Sequence, residues 1–167
     1  MSKFTLKLVS DNPSVWSKDD PVRPELDAEF KTAPGRGVFG LQDPDGAYRA
    51  FLCYARTTQV PASVEELEKY TSVKGRIIVP YTVWSYQKGA GREIINEIIW
   101  MVRNSDVGVD RVVTLSPQTA MAKRFHIRNK AIELRVNQST VNFEYQIEPT
   151  GCMGCGCDPC DCDWGNS

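Results

Sequence analysis

Long apolar runs are missing from this sequence. No stretch approaches the ~20 consecutive apolar residues that a membrane span requires, and Met1–Ser10 is too short and too strictly alternating for a secretion leader. The expectation is a cytoplasmic protein with no membrane partner. A surplus of charge is missing too. The formal net charge is −1, which gives a nucleic-acid partner no electrostatic support. Histidine is reduced to one residue, His126, and residues 1–149 hold one cysteine, Cys53. Cys53 sits in the apolar run Ala50–Ala55 and reads as a small buried hydrophobe. With no second cysteine in that stretch, no internal disulfide can support it.

What is present suits one globular domain. The 167 residues are 41% hydrophobic and 25% charged, enough to bury a core. Lys3–Val9 alternates as a strand. Asp11–Thr32 is broken by Pro13, Pro21 and Pro24. It predicts only short helices, capped by Asp11 or Ser14, with Glu25–Lys31 as the better piece. Strands over Val38–Leu41 and Tyr48–Thr57 flank the turn Asp43-Pro44-Asp45-Gly46 and form a hairpin. Ser63 with Glu66 gives a capping box for a helix to Tyr70. A strand over Arg76–Trp84 follows, then a helix over Arg92–Arg103, where Ile94, Ile95, Ile98, Ile99 and Val102 form one stripe. Arg111–Leu115 (strand), Thr119–Arg128 (helix) and the strand pair Ile132–Val136 and Val141–Ile147 complete the order. The fold class expected is α/β: a mixed, mostly antiparallel sheet flanked by helices.

The chemically informative unit is the turn Gln87-Lys88-Gly89-Ala90-Gly91-Arg92 between a strand and the amphipathic helix. Two glycines one residue apart let backbone N–H groups approach a ligand. The following helix start adds a positive dipole end, and Lys88 and Arg92 add charge, which suits an anion. The dinucleotide pattern G-x-G-x-x-G is not met, because Ile94 stands at the third glycine, and no G-K-[ST] follows for a P-loop. An ordinary glycine-rich β-α turn has the same spacing.

Gln87-x-Gly89-x-Gly91 between a strand and a long helix resembles, with one residue fewer after the Gln, the Gln-x-x-Gly-x-Gly/Ala acetyl-CoA signature of the GNAT superfamily of N-acetyltransferases, and the element order from about residue 3 to 147 is similar. The resemblance implies a GNAT-like domain over residues 1–149. It implies acetyl-CoA or another acyl-CoA as cofactor, with its pyrophosphate on the amides of Gln87, Lys88, Gly89, Ala90, Gly91 and Arg92. The strand 76–85 would splay from strand 111–115, and its Tyr81–Ser85 portion, including Val83 and Trp84, would pair with the pantetheine arm. Pro80, lacking an N–H, fits an unpaired or bulged place on that strand. Phe125-His126 occupies the family's aromatic-Tyr place, so His126 would be the general acid that protonates the CoA thiolate, an acyl group passing to a small-molecule or protein amine. The family often has a carboxylate base on the strand before the loop, and Arg76–Ser85 contains none; Glu133 or Asp106 could stand in.

Leu115-Ser116-Pro117 with Phe125-His126-x-x-Asn129-x-Ala131 is also similar to the catalytic domain of malonyl-CoA decarboxylase. That similarity implies Ser116 and His126 as the catalytic pair, with Lys130 where the family has glycine. A helix-face histidine and a capping serine are the plain structural readings of the same residues. A third reading is a non-catalytic binding or assembly module.

The tail, 150–167, is irregular and cysteine-rich. Cys152 with Cys155 and Cys157 with Cys160 form two Cys-x-x-Cys pairs separated by one residue, and Cys162 follows after one more. Such spacing brings thiolates within reach of a shared ion, zinc or a soft metal such as Cu(I).

Overall fold

The computed structural model describes residues 4–16 and 20–147. The tail cysteines, and with them the expected metal site, lie outside the described residues. Among those residues no group of His, Cys, Asp or Glu could hold a metal ion, and no helix is long and apolar enough to cross a membrane.

Eight strands form one sheet: β1 (Thr5–Leu8), β2 (Arg36–Gln42), β3 (Tyr48–Thr57), β4 (Ile77–Ser85), β5 (Arg111–Val113), β6 (Ser116–Pro117), β7 (Ile132–Val136) and β8 (Thr140–Tyr145). The order is β1-β2-β3-β4-β5-β8, with β6 and β7 also bonded to β8. Only β4 and β5 run parallel. Four helices accompany the sheet: α1 (Ala28–Lys31), α2 (Val64–Tyr70), α3 (Ala90–Asn104) and α4 (Ala120–Arg128).

Local chemistry explains most of these elements. Asp43 builds the β2–β3 turn: its Oδ1 accepts the amides of Asp45 and Ala47, Oδ2 takes Arg49 Nε at 2.7 Å, and Gly46 supplies φ +90°. Ser63 Oγ caps α2 by accepting the Glu66 amide, while Glu66 returns a bond to the Ala62 amide. The isoleucine stripe of α3 is buried against one sheet face, Ile94, Ile95, Ile98, Ile99 and Val102 all being 6% exposed or less. Trp16, Leu67 and Tyr81 help fill the opposite face. Cys53 is buried there as expected, and burial pushes its thiol pKa far up, so it is chemically quiet.

Several boundaries differ from expectation. Neither Asp11 nor Ser14 caps an α-helix; that region holds one 3₁₀ turn, Pro13–Val15. Asp27 instead caps the short α1 by accepting the Phe30 amide, so the helix begins at Ala28 rather than Glu25. α3 begins two residues early, because Gly89 at φ +87° turns the chain directly into it. The strand expected over Arg111–Leu115 is interrupted at Thr114–Leu115, where β8 changes partner from β5 to β6.

The end of α4 carries one strained residue. The chain turns through Lys130 at φ +78°, the Lys130 amide bonding Ile127 O and the Ala131 amide bonding His126 O. This is a left-handed helix stop that favours glycine. Lys130→Gly is expected to raise stability by about 0.5–1 kcal/mol, read by urea denaturation.

Candidate active site

β4 and β5 begin side by side and then part. Ile77 and Ile78 pair with Arg111 and Val112, and Leu115 N still reaches Pro80 O at 3.0 Å. Tyr81 is a bulge, since β3 pairs Cys53 with Thr82 and Tyr54 with Pro80. Beyond it the two strands are no longer bonded, and a cavity of about 370 Å³ opens. β4 from Pro80 to Ser85 forms one side, with Ser116, Pro117 and the α4 residues Ala122, Phe125 and His126 on the other. The splay expected between these strands is therefore present. None of the lining residues is charged.

The glycine turn closes one end. Gly91 sits in the first turn of α3, where an added Cβ would lie 3.3 Å from the Phe125 ring and 3.8 Å from Ser85 Oγ. Gly89 needs its positive φ but has open space around it. The Ala90 amide closes the turn on Gln87 O at 3.0 Å, and the helix start behind it presents a positive dipole end that suits an anion. Gln87, Lys88 and Gly89 are exposed, whereas Ala90 and Gly91 are buried. Of the β4 residues expected beside a cofactor, Val83 is half-buried and Trp84 is buried against Phe51 with Nε1 bonded to Tyr86 Oη.

Ser116 and His126 come together in the cavity wall. Ser116 Oγ lies 3.1 Å from His126 Nε2 and 2.8 Å from Thr114 Oγ1; His126 Nδ1 lies 2.7 Å from Tyr145 Oη. All four side chains are buried. Among the described residues the Tyr145 phenol has no other partner, so its O–H donates to Nδ1, and Nε2–H then donates to Ser116. Thr114 Oγ1 accepts the Phe143 amide, and because no other acceptor meets its hydroxyl among the described residues, its hydrogen is assigned to Ser116 as well. Ser116 Oγ thus accepts two bonds and keeps its own hydrogen for whatever enters the cavity. Thr114 and Tyr145 had no signal in the sequence beyond strand alternation.

Burial sets the protonation states. It pushes the His126 pKa down to about 4, and raises that of Tyr145 well above the phenol range. His126 is therefore a neutral imidazole at neutral pH. The folded chain binds fewer protons here than the unfolded one between pH 4 and pH 6.5. Stability from this site is complete above pH 6.5 and lost as pH falls toward 4, on the order of 3 kcal/mol. His126→Gln is expected to flatten that dependence in urea melts at stepped pH.

The substitutes for a missing base are not at the site. Glu133 pairs with Lys123 at 3.6 Å, Asp106 is exposed, and neither lines the cavity.

The fold of this chain recurs in solved structures. GphF, a GNAT-like decarboxylase in complex with isobutyryl-CoA, aligns over 86% of this chain and 100% of its own, with TM-score 0.63 and 13% identity. The chain has the GNAT fold. A malonyl-CoA decarboxylase from Cupriavidus metallidurans shares that GNAT fold over 87% of this chain and 61% of its own (TM-score 0.61, 13% identity). AtaTR, bound with AcCoA, does so over 86% of this chain and 95% of its own (TM-score 0.57, 12% identity). No protein-family model matches the sequence, and no curated protein matches it.

Proposed function

We propose that this GNAT-fold chain binds an acyl-CoA between β4 and α4, its pyrophosphate on the turn 87–92, and decarboxylates a malonyl-type thioester. The observation that carries this reading is the position of Ser116, whose hydroxyl lies against Thr114 and a neutral, buried His126 in the wall of an uncharged cavity; the bonding assigned above leaves its hydrogen for a ligand. Both a GNAT-like decarboxylase in complex with isobutyryl-CoA and a protein bound with AcCoA share the fold, which supports the ligand class.

Of the two enzymatic readings, the uncharged lining favours decarboxylation. An amine acceptor arrives largely as an ammonium ion and needs a base, yet both His126 nitrogens are engaged and the lining has no carboxylate. Decarboxylation needs no base. The bond between the carboxylate carbon and the α-carbon breaks, its electron pair moves into the thioester as an enolate, and CO₂ leaves. Ser116 O–H donates to the enolate oxygen, while His126 and Thr114 hold that hydroxyl in place. Solvent returns one proton to the α-carbon, giving acetyl-CoA. A carboxylate placed among Pro, Val and Phe side chains has lost its water, and its departure as CO₂ relieves that cost.

Assays of malonyl-CoA alone, and of acetyl-CoA with a panel of amines, separate the readings. Acetyl-CoA and CO₂ from the first, with no thiol released in the second, is the expected pattern. Thiol release with an amine and no CO₂ would overturn decarboxylation in favour of acyl transfer. Gly89→Asp places a carboxylate at the phosphate end and forces a Cβ into φ +87°. It is expected to remove detectable acyl-CoA binding in titration calorimetry.

A further inference from the structure

One part of the cavity lining is supplied neither by the sheet nor by α4. The short segment Asp20–Arg23 crosses the point where β4 and β5 part, and its two middle residues, Pro21 and Val22, line the cavity. The ends of that segment are tied down by buried charges. Asp20, 8% exposed, accepts the amides of Val22 and Arg23 at 2.8 and 2.9 Å and the Thr82 hydroxyl at 2.9 Å, and its second oxygen takes Lys31 Nζ at 2.7 Å. Arg23, also 8% exposed, donates Nε to Tyr81 O and Nη2 to Leu115 O, both at 3.0 Å. One guanidinium thus bridges the parting strands and satisfies a carbonyl from each. Residues 21 and 22 hang between two anchors and cannot retreat from the cavity.

The position of this wall gives it a use. The cavity runs along β4 from Ser85, beside Gly91 and the phosphate end, to Pro80 and Tyr81, where Arg23 closes the gap between strands. A thioester arm laid in from the glycine turn would end there, with its acyl group against Pro21 and Val22. The whole space, about 370 Å³, lies at the small end for ligand cavities, and a pantetheine arm must share it.

We propose that Pro21 and Val22 are the end-stop that measures the acyl group, restricting the site to short, unbranched thioesters, with the Val22 side chain as the gauge. This rests on the acyl-CoA reading above. The rigidity of the stop comes from Asp20 and Arg23; its size comes from Val22, which is half-buried and can be changed without touching either anchor.

Calorimetric affinities of acetyl-CoA and isobutyryl-CoA for the full chain and two variants test it. Val22→Ala removes two methyl groups, the same two by which isobutyryl exceeds acetyl. The isobutyryl-to-acetyl affinity ratio is expected to rise about tenfold or more in that variant and to fall in Val22→Leu. A ratio unchanged within about twofold in both variants, with thioesters still bound, would overturn the end-stop and leave the acyl-CoA reading standing. Absence of binding by the unaltered chain to either thioester would sink both. Because affinity is the readout, the result does not depend on which reaction follows.

Discussion

Ser116→Ala and His126→Ala are each expected to lower malonyl-CoA turnover by about 10²–10⁴-fold, with acyl-CoA affinity within about twofold of the unaltered chain. The enolate oxygen forms only as the carboxylate leaves, so the donated hydrogen acts on the transition state rather than on the bound thioester. The two side chains act as one unit, so the double variant should be little worse than either single one. A loss confined to affinity, with turnover retained, would show that Ser116 and His126 only shape the cavity. Because burial keeps His126 neutral down to about pH 4, the rate should show no inflection near the free imidazole value of about 6.5.

The largest stability effect is expected at Asp20. Its carboxylate and the Lys31 ammonium are 2% and 3% exposed and 2.7 Å apart. Asp20→Ala leaves that ammonium buried and unpaired and strips the amides of Val22 and Arg23 of their acceptor. The expected cost is about 3–5 kcal/mol, or roughly 10 °C in thermal midpoint. Asp20→Asn with Lys31→Met removes both charges and should recover much of it, as replacement of buried ion pairs commonly does. Burial by itself would raise the Asp20 pKa. The bonds from Lys31, the Arg23 amide, Thr82 and the Val22 amide outweigh it and hold the carboxyl below its usual 3.8. The pair therefore stabilises the chain above about pH 4, and its contribution is lost as pH falls through the lowered value. A midpoint unchanged in Asp20→Ala would show that the segment 20–23 is not held as described.

The same segment marks where the sequence stops being legible. α3 could be read from its isoleucine spacing, and the turn before it from its two glycines, because both signals lie within a few residues of the structure they make. Ser116 and His126 are ten residues apart, and a family resemblance was enough to pair them. Asp20, Arg23 and Lys31 gave no such signal. They stand in a stretch broken by prolines, where charged residues ordinarily face water. The partners that bury them are 62 residues away for Asp20 and Thr82, and 58 and 92 for Arg23 with Tyr81 and Leu115. Tyr145 was hidden differently: alternation places it on the inner face of β8, but only the packing of His126 on Phe143 and Tyr145 sets its hydroxyl against the imidazole. The early start of α3 and the break at Thr114 have a common cause. A positive φ at Gly89 and a change of strand partner along β8 are backbone events that side-chain periodicity does not report.

The most direct test of the account is the product formed from malonyl-CoA in heavy water, read by mass spectrometry. Decarboxylation through an enolate held by Ser116 predicts acetyl-CoA carrying a single deuterium at the α-carbon, formed by the unaltered chain and nearly lost in Ser116→Ala. Malonyl-CoA recovered intact, or acetyl-CoA formed equally well by the Ser116→Ala chain, would contradict it.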